Sequence, residues 1–438
     1  MPTASVSKTA QTSALFASTL AFTISFAVWT IFSIIGVKIK DELNLSGFEF
    51  GLLAGTPILT GSLIRLTVGV WAEQYGARLV FTLLMIASAI STYFLSKADT
   101  YPMMLLAALG LGMAGGTFIV GIVYVAHWFP KEKQGTAMGI FGIGNGGAAL
   151  TKLLAPVIMV ALGSWQGVVE IWAAALLVMA VIFWFTTKED PTLAERKARG
   201  EKPAPLSKHL EPLKNVQVWR FSLYYVFVFG AFVALALWLP MYYTKVYGLD
   251  IKTAGVLGAI FSLAGSVFRG MGGALSDRHG PRKIMYVTFW VCIVTLFFLS
   301  YPSTSYVVHG VNGDISFSFA WGVVPFTALI FVLGFFMSMG KAAVYKHITN
   351  YYPQNVGSVG GIIGLIGGLG GWALPMLFGL ANDFIGVWTS CFMILYVLAG
   401  ASLIWMHWTI RKMEHRIHPV LREHKYLAEF SDTDHKKK

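Results

Sequence analysis

Residues 61–78 read GSLIRLTVGVWAEQYGAR, and residues 265–282 read GSVFRGMGGALSDRHGPR. A constant offset of 204 pairs Arg65 with Arg269, Glu73 with Asp277, Gly76 with Gly280 and Arg78 with Arg282. Each copy starts in an apolar run and ends in a short charged turn. Two packed helical units could share such a pattern for folding reasons alone, but a duplicated intramembrane arginine is harder to explain that way. A second, weaker pairing lays GGTFIVGIVYVAHWFP (115–130) over SMGKAAVYKHITNYYP (338–353), with a glycine-rich run after each. Internal repeats in membrane proteins place the substrate site between the repeats, near the midplane.

Six apolar stretches surround each copy. The first six lie at about 15–37, 48–71, 78–97, 102–126, 135–160 and 165–187, and six more at about 219–243, 253–275, 283–301, 319–346, 357–380 and 386–408. A membrane-spanning helix needs about 20 mostly apolar residues, so twelve would use roughly 240. Of 438 residues, 56% are apolar and 12% charged, whereas soluble domains carry about 25% charged residues. An ordinary soluble enzyme is excluded. Barrel strands are about ten residues long with alternating polarity, and these runs are longer and continuous. The reading is an all-α membrane protein: twelve transmembrane helices in two pseudo-symmetric six-helix halves. The N-terminal half covers 1–187, a charged, proline-containing linker 188–218, the C-terminal half 219–408 and a tail 409–438. The first stretch is too long for a signal-peptide core and is kept as a helix.

The net charge of +12 would suggest nucleic acid in a soluble protein, but here the positive-inside rule comes first. With the amino terminus in the cytoplasm, 24 of the 33 Lys and Arg fall on cytoplasmic segments and helix ends. Five fall opposite (Lys38, Lys40, Lys97, Lys245 and Lys252) and four lie inside spans: Arg65, Lys152, Arg269 and Lys341. Both termini are expected inside, in the inner (cytoplasmic) cell membrane. Linker and tail read as solvated segments attracted to anionic lipid. Cys292 and Cys391 sit in apolar runs, which indicates neither a disulfide framework nor a metal site. No cofactor and no nucleic-acid partner are expected, and the chain reads as a monomer in the lipid bilayer.

A charge at the bilayer centre costs about 2.5–3.5 kcal/mol on insertion scales. No Asp or Glu falls mid-span; Glu170, toward the outer end of the sixth stretch, is the nearest. Two buried guanidiniums without counter-charges imply an anionic ligand. The planar donor fork of arginine suits planar oxyanions such as nitrate or carboxylate. Lys152 sits near the outer end of its helix, where snorkelling is expected. His127 and His347 fall near cytoplasmic helix ends and are expected at the interface. The runs GTAMGIFGIGNGGAALTK (135–152) and GSVGGIIGLIGGLGGWALP (357–375) promise close helix packing. They also let a small ligand approach backbone. Asn145 is expected either to bond a neighbouring helix or to donate to an anion. Phe26, Phe118, Tyr225 and Phe229 are candidate walls for a flat ion.

The segment from Gly273 to Arg282 resembles the loop motif of the major facilitator superfamily, with a degenerate copy at Gly69 to Arg78. The resemblance implies that Asp277, Arg278 and Arg282, with Glu73 and Arg78, are gating charges at the cytoplasmic mouth. Residues 114–156 and 357–375 resemble the two nitrate motifs of the nitrate/nitrite porters (NarK-like) of that superfamily. FAVW (26–29) and LYYVFVFGAF (223–232) are similar as well. The resemblance implies that Arg65 and Arg269 clamp the anion from opposite halves. It further implies that Phe26, Phe118, Tyr225 and Phe229 line the site, that Asn145 and Gly144 touch the ligand, and that the halves rock in alternating access. Lys341 departs from the family's better-known exchangers; by the repeat it is the counterpart of Phe118. A branch of these porters is proton-coupled, and this chain looks closer to it, with Lys341 as proton-coupling candidate and protons as partners. Exchange of nitrate for nitrite, or of another small anion such as a monocarboxylate, is the alternative. No catalytic constellation or nucleotide loop favours an enzyme.

Overall fold

The computed structural model describes residues 8–129, 137, 138, 140–190, 193, 198, 210–352 and 356–417. Most of the expected linker and the tail beyond 417 lie outside the described residues. Twelve helices are long and apolar enough to cross a membrane. The first six are α1 Lys8–Glu42, α2 Gly47–Tyr75, α3 Ala77–Leu95, α4 Tyr101–Trp128, α5 Ile140–Leu162 and α6 Trp165–Thr186. The second six are α7 Val216–Tyr247, α8 Ile251–His279, α9 Pro281–Leu299, α10 Val323–Tyr351, α11 Ser358–Ile385 and α12 Ser390–Met413. Each expected apolar stretch is a helix, and most run on for a turn beyond it into polar residues.

Local chemistry sets the ends. α2 starts on a capping box: the Glu49 backbone N–H donates to the Ser46 hydroxyl, and the Ser46 N–H donates to the Glu49 carboxylate. The turns into α3 and α9 pass through Gly76 and Gly280, whose φ angles of +109° and +80° favour glycine. That is the physical reason for the glycine shared by the two repeat copies. Between α9 and α10 stand two strands, β1 Thr304–Gly310 and β2 Gly313–Phe319, paired antiparallel from Thr304 opposite Phe319 to Gly310 opposite Gly313. This hairpin, at the end of the bundle opposite the termini, is an addition to the helical frame that the apolar-run reading leaves as loop.

Five spans are irregular, four of them near their middles and α5 near its start. α1 pauses between Trp29 and Phe32, and α4 tightens to a 3-10 turn over Gly112–Gly116. α5 opens with a 3-10 turn over Ile143–Gly146, α7 widens to a π-helical turn over Val226–Ala231, and α8 breaks at Phe268. Inside a membrane, irregular backbone persists only where protein or a polar cavity surrounds it. α2, by contrast, runs unbroken for 29 residues.

The halves meet along α2 with α11, α5 with α8, and the second segment of α1 with α7. Glycine sets the approach: a Cβ on Gly51 would lie 2.3 Å from the Pro375 carbonyl oxygen, and one on Gly379 would lie 2.0 Å from that of Gly47. At the hairpin end, polar contacts cross between the halves. Lys245 pairs with Asp41 at 2.7 Å, and Asp383 accepts from the Gly47 and Phe48 N–H groups at 2.9 Å each. Asp383 on α11 therefore caps the first turn of α2. Among the described residues, no ion pair crosses between the halves at the end that carries the termini.

Candidate functional site

Arg65 projects from the unbroken α2 and is 5% exposed. Its guanidinium carbon lies 5.6 Å from the ring centres of Phe118 and Phe229 and 5.8 Å from that of Trp29. One nitrogen, Nη1, donates to the Gly364 carbonyl of α11 at 3.0 Å, while Nε is buried without a protein acceptor. A cation over ring faces is attracted by their quadrupoles, so the aromatic walls hold the arginine and leave its donors available. Arg65 turns into the bundle and does not snorkel.

The broken spans supply the walls. Trp29 stands where α1 pauses; its indole N–H donates to the Pro57 carbonyl at 2.7 Å, and it fits because Gly61 and Gly115 carry no side chains against it. Phe118 follows the 3-10 turn of α4. Tyr225 and Phe229 flank the start of the π turn of α7, and their rings stack at 5.0 Å. Tyr345 on α10 meets the Tyr225 ring edge-on at 5.4 Å and lies under the Arg269 guanidinium at 5.6 Å. Arg269, half-buried at the break of α8, also has a buried nitrogen, Nη1, without a protein acceptor. One aromatic wall thus joins the two arginines from opposite halves.

Phe118, Tyr225 and Phe229 line this site with Arg65. Phe26 stands one ring back, 5.3 Å from Trp29 and 5.7 Å from Phe22. The Asn145 amide nitrogen donates to the Gly142 carbonyl of its own turn at 3.1 Å rather than to a neighbouring helix. Gly144 lies against Phe22. Their turn packs between α1 and α8. Lys341 is 1% exposed, its ammonium 2.7 Å from the Gly265 carbonyl and 3.3 Å from the centre of the Phe232 ring. It sits one turn of α8 from Arg269. Lys152 is fully buried and donates to the Ala148 carbonyl at 3.1 Å. Both the outer-end placement and snorkelling are overturned: Lys152 lies at the middle of α5, and its ammonium turns back one turn within the bundle.

No carboxylate among the described residues pairs with any of these four cations. Glu170 is occupied elsewhere: it pairs with Lys97 at 2.7 Å, and that hydrogen bond holds the Lys97 ammonium above its ordinary range. Two charges of the repeated loops, Asp277 and Arg78, find partners within their own halves. Asp277 pairs with Lys346 at 2.6 Å. Arg78 lies 4.1 Å from the Trp184 ring centre and donates to the Trp184 carbonyl. Glu73 and Arg278 are exposed. Arg282 is buried at the start of α9 beside Arg220, Tyr224 and His347. His347 is not interfacial as expected: it is 4% exposed and stacks on Phe221 at 5.3 Å. His127 is partly exposed and pairs with Asp190 at 2.7 Å.

Three members of the site escape a reading by residue type. Trp29 closes the FAVW run one turn after Phe26. Tyr345 follows Lys341 by four residues, a spacing that puts both on one helix face. Gly364 contributes a backbone carbonyl, which leaves no mark in sequence.

The Major Facilitator Superfamily pattern matches residues 17–327. Among curated relatives, the probable nitrate/nitrite antiporter NarK1 of Thermus thermophilus is 43% identical over 91% of both chains. The nitrite extrusion protein of Bacillus subtilis (strain 168) is 29% identical over 90% of this chain and 94% of its own. Among solved structures, a bacterial homologue of the human lysosomal transporter Spinster has a TM-score of 0.68 at 17% identity, covering 92% of this chain and 98% of that one. The nucleoside transporter NupG also scores 0.68, at 14% identity, over 90% and 99%. These two share the fold. The duplicated buried arginine, the paired glycine-rich helices and the extent of this likeness lead to one conclusion: the chain is a multi-pass membrane protein that belongs to the nitrate/nitrite porters (NarK-like) of the Major Facilitator Superfamily, a family of transporters and not of enzymes.

Proposed function

We propose that the protein carries nitrate, nitrite or both across the inner (cytoplasmic) cell membrane, by alternating access of its two halves to a site between Arg65 and Arg269. One observation carries the reading: two arginines, one from each half, converge on an aromatic-walled site with guanidinium N–H groups buried and unaccepted, and no acid among the described residues neutralises them. An unpaired buried donor is costly, and a flat monovalent oxyanion would satisfy both forks while its faces lie on the rings. The names of the relatives in Thermus and Bacillus agree in substrate. The basic linker and tail support a cytoplasmic position for both termini, with the hairpin end outside. The conformation then has its outer side closed by α5–α8, α2–α11, Asp383 and the Asp41–Lys245 pair. The protein works as a monomer, since the site is complete within one chain.

Two couplings fit this site. Importing a monovalent anion against an inside-negative potential costs about 2.3 kcal/mol per 100 mV. Exchange of nitrate for nitrite moves no net charge and needs no titratable group; the name of the Thermus relative favours it. Nitrate/proton symport needs a proton carrier, and Lys341 is the candidate: it contacts a carbonyl and a ring instead of a carboxylate, one turn from Arg269. We favour symport through Lys341. Reconstituted vesicles decide between the two. Under symport, an inward pH gradient drives nitrate accumulation without internal nitrite, and Lys341→Gln abolishes that gradient dependence. Uptake that requires internal nitrite and ignores pH means exchange. A carrier that takes up monocarboxylates and ignores both nitrate and nitrite would overturn the substrate assignment.

A further inference from the structure

The helices α5 and α8 belong to opposite halves, and Lys152 lies in the seam between them. A Cβ on Gly255 of α8 would stand 2.3 Å from the Lys152 carbonyl oxygen, and one on Gly258 would stand 3.3 Å from its Cδ. The side chain is wholly buried, and its ammonium makes one hydrogen bond, to the Ala148 carbonyl, out of the three it can donate. No carboxylate among the described residues pairs with it. A buried ammonium without a counter-charge weakens the interface that holds it, and an apolar side chain of the same length would close this seam better. The lysine therefore acts when the seam is open.

Its place on α8 shows toward what. Gly258, which faces Lys152, and Gly265, whose carbonyl accepts from Lys341, are seven residues apart on one helical segment. Seven residues make two turns to within about 20° and advance about 10.5 Å. Lys152 and Lys341 thus dock on the same face of α8 at successive heights, and Arg269 follows one turn further on. Along α8, Lys152, Lys341 and Arg269 follow one another from the hairpin end inward.

We propose that Lys152 is an access subsite for the transported oxyanion, engaged when α5 and α8 part at the hairpin end; this rests on the reading of the chain as a nitrate or nitrite carrier. The ammonium is a point charge with rotatable donors, which holds an anion loosely and lets it pass inward, whereas the arginine forks below bind it bidentately. When the seam closes, the anion has moved to the arginines, and Lys152 returns to the Ala148 carbonyl.

The test is charge rescue in vesicles that present the hairpin end outward. Lys152→Cys raises the apparent KM for external nitrate about tenfold, the scale of one charge-assisted hydrogen bond, and Lys152→Met does the same while staying monodisperse in detergent. Externally applied aminoethyl methanethiosulfonate restores an ammonium on the introduced thiol and returns KM toward the parent value. The neutral methyl reagent modifies the thiol and restores nothing. Cys292 and Cys391 are buried, so the parent protein ignores both reagents. An unchanged KM in both variants, equal recovery with both reagents, or a thiol that never reacts from that side overturns the subsite. Parent vesicles that carry neither nitrate nor nitrite overturn the transport reading itself, and the subsite falls with it.

Discussion

Arg65 has more than charge at stake. Its three ring neighbours and the Gly364 carbonyl fix the plane of the guanidinium, and only a planar fork can hold that carbonyl and an anion together. Arg65→Lys is expected to weaken nitrate binding by 10- to 100-fold, the scale of one or two charge-assisted hydrogen bonds, with the protein still folded. Arg269→Lys follows in direction. Calorimetric titration of the purified variants checks this, and retention of parent affinity by both would end the clamp assignment. Tyr345 acts at the same scale through its hydroxyl. Tyr345→Phe keeps the ring beneath Arg269 and against Tyr225 and removes its hydroxyl from the proposed site, so a several-fold rise in KM is expected, with unchanged thermal stability. A loss of stability equal to that of Tyr345→Ala would instead make the ring the whole of its role.

The elements divide into rails and joints. α2 and α11 approach through glycine so closely that backbone meets backbone. A Cβ 2.3 Å from a carbonyl oxygen cannot be relieved by a rotamer change, so Gly51→Val should prevent the hairpin end from closing. Transport is then lost although the protein purifies as a single species, and thiol-reactive probes placed at that end label it constitutively. Asp383 offers a milder change at the same joint. Its carboxylate accepts two N–H groups in the first turn of the long α2, where negative charge is favoured by the helix dipole. Asp383→Ala frees that turn and shifts the population toward the open hairpin end, which distance measurements between spin labels on α2 and α11 would report; an unmoved distance distribution would show that the cap does not hold the halves. The joints were the hardest feature to foresee. The breaks in α1, α7 and α8 fall in runs that read as continuous apolar helix, because a π turn or a single bent residue leaves hydropathy unchanged.

Over the whole molecule, charge is sorted by depth. At the two ends Lys97 pairs with Glu170, Lys245 with Asp41 and Lys346 with Asp277, whereas the mid-span cations have no carboxylate partner among the described residues. If the proposed site holds an anion, its occupancy and the conformational change are linked, since the arginines of the two halves repel each other unless an anion lies between them. Nitrate should therefore raise the thermal stability of the detergent-solubilised protein in proportion to RT ln(1 + [L]/Kd), sulfate far less, and Arg65→Ala should remove the shift. Equal stabilisation by both anions at matched ionic strength would point to general screening.

The sequence by itself determined the twelve spans, their division into two related halves, the pair Arg65 and Arg269, and the absence of acid to neutralise them. Those properties are local or additive: hydropathy sums over a window, and a repeat survives as residue types at a fixed offset. Tertiary structure alone decided which aromatics matter, because Trp29 and Tyr345 face the arginines while Phe26 stands behind, and ring type does not encode facing. It decided that Asn145 serves its own turn and that His347 is buried against Phe221. It also decided that Lys152, legible as an intramembrane charge, lies in the seam between the halves instead of reaching for water. Burial in a helical bundle depends on what the other helices present to each face, and that is known only once they are packed.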